Sequence, residues 1–317
     1  VREVPVVRAA ELDPRADPTG ATRVWLALEA LQVTGSFQVR GALLAVASAS
    51  RSESRSRHVV APSVGNHGIG VAYAACVLGV SATVVVPRTA SHTKREKIER
   101  YGAELVVAST DRYDVAEGLA KEIAATQGAA FVATEDVEVM LGNGSSLGFE
   151  IVRGLGGLPE RVIAPFGGGG LATGLSWAMA ADAVGPAERN VWGVQSEACA
   201  HMAAALEQGS VVDLPCAHGP TLAEELAGVP SADAFERARS AIAGIALVTE
   251  TQIASAMVHA YEDMGLVLEG TAAVALAPVL FGLPDPLRGG DVVVVLTGRN
   301  IDPVRLDGVL ARTERAL

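Results

Sequence analysis

Short, wholly apolar runs alternate along this chain with longer stretches in which apolar and polar positions recur at helical spacing. Residues 59–62, 82–86, 104–107 and 130–132 read as strands, and 69–78, 91–101 and 111–127 between them read as helices. The style resumes after a helix at 145–155. Strands are expected at 161–165, 191–194 and 291–296, and helices at 171–184, 199–207, 221–227, 231–243, 250–264, 269–281 and 306–312. Ahead of these lie strand candidates at 4–7 and 24–28 and a helix at 42–49. Strands that are apolar along their whole length are buried on both faces, which is the pattern of a parallel sheet covered by helices. The prediction is an α/β protein with its ligand loops at the carboxyl ends of strands.

Composition narrows the partners. The 317 residues are 50% hydrophobic and 19% charged, with a net charge of -11. An acidic chain disfavours nucleic acid, whose phosphates call for Lys and Arg. No run is long, apolar and uncharged enough to cross a membrane, and the start shows no basic segment followed by an apolar one. A cytoplasmic protein is expected, with no membrane partner. The mixed-charge run at 92–97 reads as a solvated helix face. Cys76, Cys199 and Cys216 form no disulfide framework.

Four loops carry candidate chemistry. Gly167, Gly168, Gly169 and Gly170 follow an apolar strand and open a helix. Bare backbone N–H groups and the positive helix end suit phosphate or another anion, and the alternative is a plain tight turn. In Ser63-Val64-Gly65-Asn66-His67 a hydroxyl, an amide and N–H groups at a helix start suit a carboxylate or ring oxygen, or Ser63 merely caps the helix. Thr297-Gly298-Arg299-Asn300 ends the last strand with a hydroxyl and a large cation. Thr34-Gly35-Ser36-Phe37-Gln38-Val39-Arg40-Gly41-Ala42 is a turn leading into a helix.

This last stretch is similar to the cofactor-lysine motif of the fold type II pyridoxal-phosphate (PLP) enzymes, the family of threonine dehydratase and serine racemase. The resemblance runs from about Pro5 to Asp302. It implies a tryptophan synthase β-like fold of two three-layer α/β domains with a ligand cleft between them. Residues 1–46 and 139–317 would form the large domain with the phosphate loop, and 47–138 a small inserted domain. It implies lysine where Gln38 stands, holding PLP as a Schiff base, with Phe37 before it. It assigns Gly167–Gly170 to the phosphate, Asn66 to the ring 3′-oxygen, Thr297 to the pyridine nitrogen, and Ser63, Val64, Gly65, Asn66 and His67 to the substrate carboxylate. Glu269 and Arg299 would also adjoin the substrate. Val64 stands where serine racemase has a catalytic Ser, which makes racemisation the less expected activity.

Several residues depart from that pattern. Gln38 cannot form the imine; it can only hydrogen-bond. Glu225 falls where a glycine is normal, and is either a new general base or a surface Glu. Arg299 replaces another glycine. Gln195 and His201 replace the family's cation ligands, and the Cys199/His201 and Cys216/His218 pairs are poorly spaced for zinc, so no metal is expected. Gly142-Asn143-Gly144-Ser145 resembles a structural turn of the family.

Three functions remain in play. The chain is a threonine/serine dehydratase-like ammonia-lyase scaffold without its catalytic lysine, either trapped by a substitution at residue 38 or drifted from PLP chemistry, and holds PLP non-covalently. Alternatively it is a lysine-independent enzyme of elimination, cyclisation or isomerisation, with Gln38, Glu225 or His67 in the reaction. Otherwise it is a non-catalytic pseudoenzyme that binds an anion or PLP. A small anionic or amino-acid-like ligand and a homodimer are expected in each case.

Overall fold

The computed structural model describes residues 1–51, 57–182, 189–212, 214 and 221–312. In chain order the strands are β1 (Val6–Arg8), β2 (Thr22–Ala27), β3 (His58–Pro62), β4 (Ser81–Val86), β5 (Glu104–Val107), β6 (Ala130–Phe131), β7 (Arg161–Pro165), β8 (Val191–Ser196), β9 (Gly244–Val248) and β10 (Gly290–Val295). The helices are α1 (Asp13–Ala16), α2 (Val39–Ser50), α3 (Asn66–Leu78), α4 (His92–Arg100), α5 (Tyr113–Gln127), α6 (Val137–Met140), α7 (Ser146–Leu155), α8 (Gly170–Asp182), α9 (His201–Gln208), α10 (Ala232–Ala241), α11 (Glu250–Glu262), α12 (Gly270–Phe281) and α13 (Pro303–Arg312). The fold is α/β, with two sheet-containing units and helical layers, as expected.

The smaller unit comprises Gln32–Asn143 and Asn300–Asp302, together with Val1. Its sheet runs β5-β4-β3-β6 and is parallel throughout. Val59, Val60, Val84, Val85 and Val86 are all buried, so the central strands need no polar face. From β3 the chain proceeds to β4 and β5 on one side and places β6 on the other. The carboxyl end of β3 is therefore a topological switch point, where ligand loops of open α/β sheets occur.

The larger unit comprises Arg2–Leu31, Gly144–Arg299 and Pro303–Leu317. Its sheet runs β1-β2-β10-β7-β8-β9, with only β1 antiparallel. Val292 to Leu296 is buried without interruption, and Val294 stands opposite Ile163 of β7. β7 is followed by β8 and β9 on one side and flanked by β10 on the other, which makes a second switch point. Thr249 and Gln252 form a reciprocal capping box at the start of α11.

The local expectations need four corrections. β9 lies where only a connection is expected: it is an edge strand with a mostly half-exposed burial pattern, and its five residues carry little strand signal. The helix expected at 221–227 is only a 3-10 turn over Glu224–Leu226. The run at 92–97 is not merely solvated. Lys94 is buried, because a missing side chain at Gly65 leaves room for its stem. Cys199 is disulfide-bonded, whereas Cys76 is free; Cys216 and His218 lie outside the described residues. Among the described residues, no helix is long and apolar enough to cross a membrane.

Candidate functional site

In the larger unit, β7 delivers Phe166 and the four glycines directly into α8. Phe166 is fully buried, and its ring occupies the space over Gly193 of β8, where an added Cβ would stand 2.7 Å from the ring. This wedge holds the start of the loop. Gly169 adopts φ +81°, and Thr173 N–H donates to its carbonyl at 2.8 Å as the first turn of α8 forms. A left-handed glycine followed by a helix N-terminus exposes a nest of N–H groups with a positive field, the arrangement that binds phosphate.

β10 runs parallel to β7 and is its neighbour, so Thr297 leaves the sheet on the same edge as Gly167. Thr297 is 3% exposed and its hydroxyl has no hydrogen-bond partner. A buried hydroxyl without a partner costs free energy, on the order of 1–3 kcal/mol, and a ligand atom would relieve it. Glu225 joins this edge through its backbone. Its carbonyl lies 3.3 Å from where a Cβ on Gly167 would stand, and its N–H faces Thr271 Oγ1 at 3.4 Å. Glu269 is buried at the N-cap of α12, where its N–H donates to the Gly298 carbonyl at 3.1 Å, but its side chain does not cap the helix. Gly270 abuts the Leu222 carbonyl so closely that no side chain fits. The Thr221–Leu222 stretch is fastened by Glu250, which accepts from Thr221 Oγ1 at 2.6 Å, from Leu222 N–H at 2.7 Å, and from Ser196 Oγ. Glycine loop, Glu225, Glu269 and Thr297 thus gather at one switch point. Arg299 is exposed.

In the smaller unit, Ser63 Oγ accepts from Gly65 N–H and Gly68 N–H, both at 2.8 Å. Ser63 therefore holds the turn, but Gly65 and not Ser63 is the N-cap of α3. Val64 is exposed. His67 is buried, and its Nε2 lies 3.1 Å from the Val132 carbonyl, so Nε2 carries the hydrogen and donates. Gln38 is the N-cap of α2; its carbonyl accepts from Ala42 N–H at 3.0 Å and packs against Gly70 of α3. Phe37, half-buried, accepts from Arg40 N–H at 3.0 Å. Gly41 N–H donates to Asn143 Oδ1 at 2.7 Å, which fastens α2 to Asn143; residues Leu141–Ser145 are π-helical rather than the turn expected from the sequence.

Two residues at this loop were given no role by sequence reasoning. Asn300 is buried; its Nδ2 donates to Asn66 Oδ1 at 2.7 Å and to the Thr34 carbonyl at 3.0 Å, and its Oδ1 accepts from Lys97 Nζ. Asp302 accepts from Ser91 Oγ at 2.8 Å and Thr93 N–H at 2.9 Å, closing the N-terminus of α4. Burial opposes its ionisation, but the Thr93 and Ser91 hydrogen bonds outweigh it and hold its carboxyl below the usual range.

Among the described residues, no three His, Cys, Asp or Glu come together in a way that could hold a metal ion. His201 is buried with Nδ1 unpartnered, and Gln195 Oε1 accepts from Ala203 N–H at 2.9 Å.

Known proteins share this fold. Solved structures with the same fold include a threonine deaminase of T.th. (TM-score 0.81, 31% identity, 95% of this chain and 94% of that one). Another is maize serine racemase (TM-score 0.85, 23% identity, 98% and 92%), a likeness of fold. By sequence, the chain is 37% identical to an L-threonine ammonia-lyase of Thermotoga maritima over 289 residues, 90% of this chain and 69% of that protein. It is 33% identical to a catabolic L-threonine dehydratase of Escherichia coli, over 90% of this chain and 85% of the other. Residues 1–298 match the family described as pyridoxal-phosphate dependent enzyme. By that match over nearly its whole length, and by relatives at 33–37% identity, the chain belongs to the family of pyridoxal-phosphate dependent enzymes.

Proposed function

We propose that this chain is a threonine-dehydratase-like scaffold that holds pyridoxal phosphate without a covalent anchor, because residue 38 is an amide and not an amine. The carrying observation is the buried, unpartnered Thr297 hydroxyl beside the glycine loop. Its surroundings fit a pyridine nitrogen, and the loop's N–H groups fit a phosphate. Gln38 does not fit an imine. Bound there, the cofactor supplies an electron sink for charge developing at a substrate's α-carbon. The larger unit's own residues bind and orient: Gly167–Gly170 take the phosphate and Thr297 the ring nitrogen. Gln38 offers hydrogen bonds but neither a nucleophile nor a base, so lyase turnover through residue 38 is lost.

The test is a titration with pyridoxal phosphate followed by visible absorbance and borohydride treatment, for wild type and Gln38→Lys. The expected result is saturable binding by both and a borohydride-fixed mass increase at residue 38 only in Gln38→Lys. Lys94, Lys97 and Lys121 are the chain's lysines, so any other fixed adduct is readily mapped. Absence of binding by either form would refute the proposal.

A second reading rests on Glu225. Its turn adjoins Gly167, so its carboxyl would be a general base in a lysine-independent elimination or isomerisation. Turnover that persists without added cofactor and disappears in Glu225→Gln would favour it.

A further inference from the structure

The larger unit also carries a cavity away from the glycine loop. It encloses about 430 Å³ between the end of α9, the end of α10 and the start of β9, a size that suits a small ligand. β8 and β9 run parallel to β7, and the cavity adjoins Arg189 and Ala243, which precede them. It therefore lies at the amino edge of the sheet, whereas the glycine loop leaves the carboxyl edge.

The lining divides by chemistry. Leu206, Ile242 and Ile245 supply apolar side chains; Ile242 is buried and the other two are half-buried. Arg189, Glu207 and Arg239 supply charge. Arg239 is already committed. Its Nη2 lies 2.7 Å from Glu236 Oε2, its guanidinium stands 5.8 Å from the Phe235 ring, and it sits in the last turn of α10, where a cation suits the negative helix end.

Arg189 and Glu207 are not committed in this way. Among the described residues Arg189 engages only Nη1, which donates to the Arg239 carbonyl at 3.1 Å, so most of its five N–H donors remain for a ligand. Its chain neighbour is anchored on both sides: the Asn190 carbonyl accepts from Val162 N–H at 2.9 Å, and Asn190 Nδ2 donates to the Pro159 carbonyl at 3.0 Å. The Glu207 carboxylate makes no ion pair among the described residues, with Arg189 or any other. It stands one residue before the end of α9, in a last turn without a basic residue, where the helix dipole opposes a negative charge.

A cation and an anion that share a cavity without pairing are matched by a ligand with the reverse charges. A simple anion meets repulsion from Glu207, and a simple cation meets it from Arg189. An ammonium near Glu207 gains from both the carboxylate and the carbonyl end of α9, and a carboxylate suits the planar fork of Arg189. We propose that this cavity binds a small zwitterion with an aliphatic side chain, an α-amino acid by chemical class: Arg189 takes the carboxylate, Glu207 the ammonium, and Leu206, Ile242 and Ile245 the side chain. The site is independent of the proposed cofactor and of the carboxyl edge where that cofactor would sit.

The test is a ligand-observed NMR titration of the full chain with L-leucine, with 4-methylpentanoate, which lacks the ammonium, and with 3-methylbutylamine, which lacks the carboxylate. Wild type should bind L-leucine more tightly than either analogue. Arg189→Gln should raise the Kd of L-leucine and of 4-methylpentanoate about fivefold and leave that of 3-methylbutylamine unraised. Glu207→Gln should do the reverse, weakening L-leucine and 3-methylbutylamine about fivefold while 4-methylpentanoate binds no worse. Both residues are exposed, so neither substitution threatens the fold. Equal Kd values for L-leucine in wild type and both variants would put the amino acid elsewhere on the chain and overturn the proposal. Weakening of all three ligands alike would overturn the charge matching, and failure of L-leucine to bind wild type would overturn the site itself.

Discussion

Gly169→Ala tests the glycine loop as a built anion cradle, provided it is paired with Gly156→Ala. Both glycines are left-handed, at φ +81° and +77°. Placing an L-residue there costs about 1–2 kcal/mol of backbone strain. They differ in surroundings. A Cβ on Gly156 meets nothing within 4 Å, whereas one on Gly169 would stand 2.9 Å from Ala238 Cβ and 3.1 Å from Phe166 Cζ. Phe166 cannot retreat, because it is fully buried over Gly193. Overpacking of this kind adds about 1–3 kcal/mol. Gly169→Ala should therefore lose about 2–5 kcal/mol in urea unfolding of the larger unit, and Gly156→Ala only about 1–2 kcal/mol. Relaxation of the clash would rotate the loop's N–H groups. Loss of one charge-assisted hydrogen bond then weakens binding of pyridoxal phosphate by about tenfold or more, with no change in Gly156→Ala. Equal stability losses, together with unchanged affinity in Gly169→Ala, would refute both the tight packing and the cradle.

Thr297→Val removes the orphaned hydroxyl at nearly constant shape, so stability should hold or rise by about 1 kcal/mol in denaturant while cofactor affinity falls. Asp302→Ala removes two hydrogen bonds at the start of α4 and should cost about 1–2 kcal/mol in the smaller unit's unfolding. Asp302 also predicts a pH dependence. Its folded pKa lies below the unfolded value, so its contribution is complete above the unfolded pKa and is lost as pH falls through the folded one. Asp291, held low by hydrogen bonds from Arg23 and Trp25 against a smaller burial effect, adds to the same acid-side loss in the larger unit. In acid titrations of stability, Asp302→Asn should flatten the smaller unit's curve and leave the larger unit's unchanged.

The buried parallel strands were legible because valine-rich runs with no polar alternation have few other uses, and the glycine run was legible because strand, glycines and helix are contiguous. β9 was not, since an edge strand of five residues flanked by alanine-rich helix lacks a period of its own. Lys94 and Lys97 read as solvated because helical periodicity shows which residues share a face, not what that face meets. What they meet includes Gly65, made accessible by an absent side chain, and Asn300, contributed from near the other end of the sequence. No local pattern encodes such a partner.

The place of Asn300–Asp302 in the smaller unit has a consequence for biosynthesis. The sheet and most helices of that unit are translated by Asn143, yet Asn66, Lys97, Ser91 and Thr93 wait for partners that leave the ribosome only after nearly all of the larger unit. At about 5–20 residues per second, chains emerge over many seconds. Throughout that interval the N-terminus of α4 is uncapped by Asp302 and Asn66 lacks Asn300. The smaller unit is therefore a nascent domain that matures late, completing its hydrogen bonds only when Asn300–Asp302 arrives.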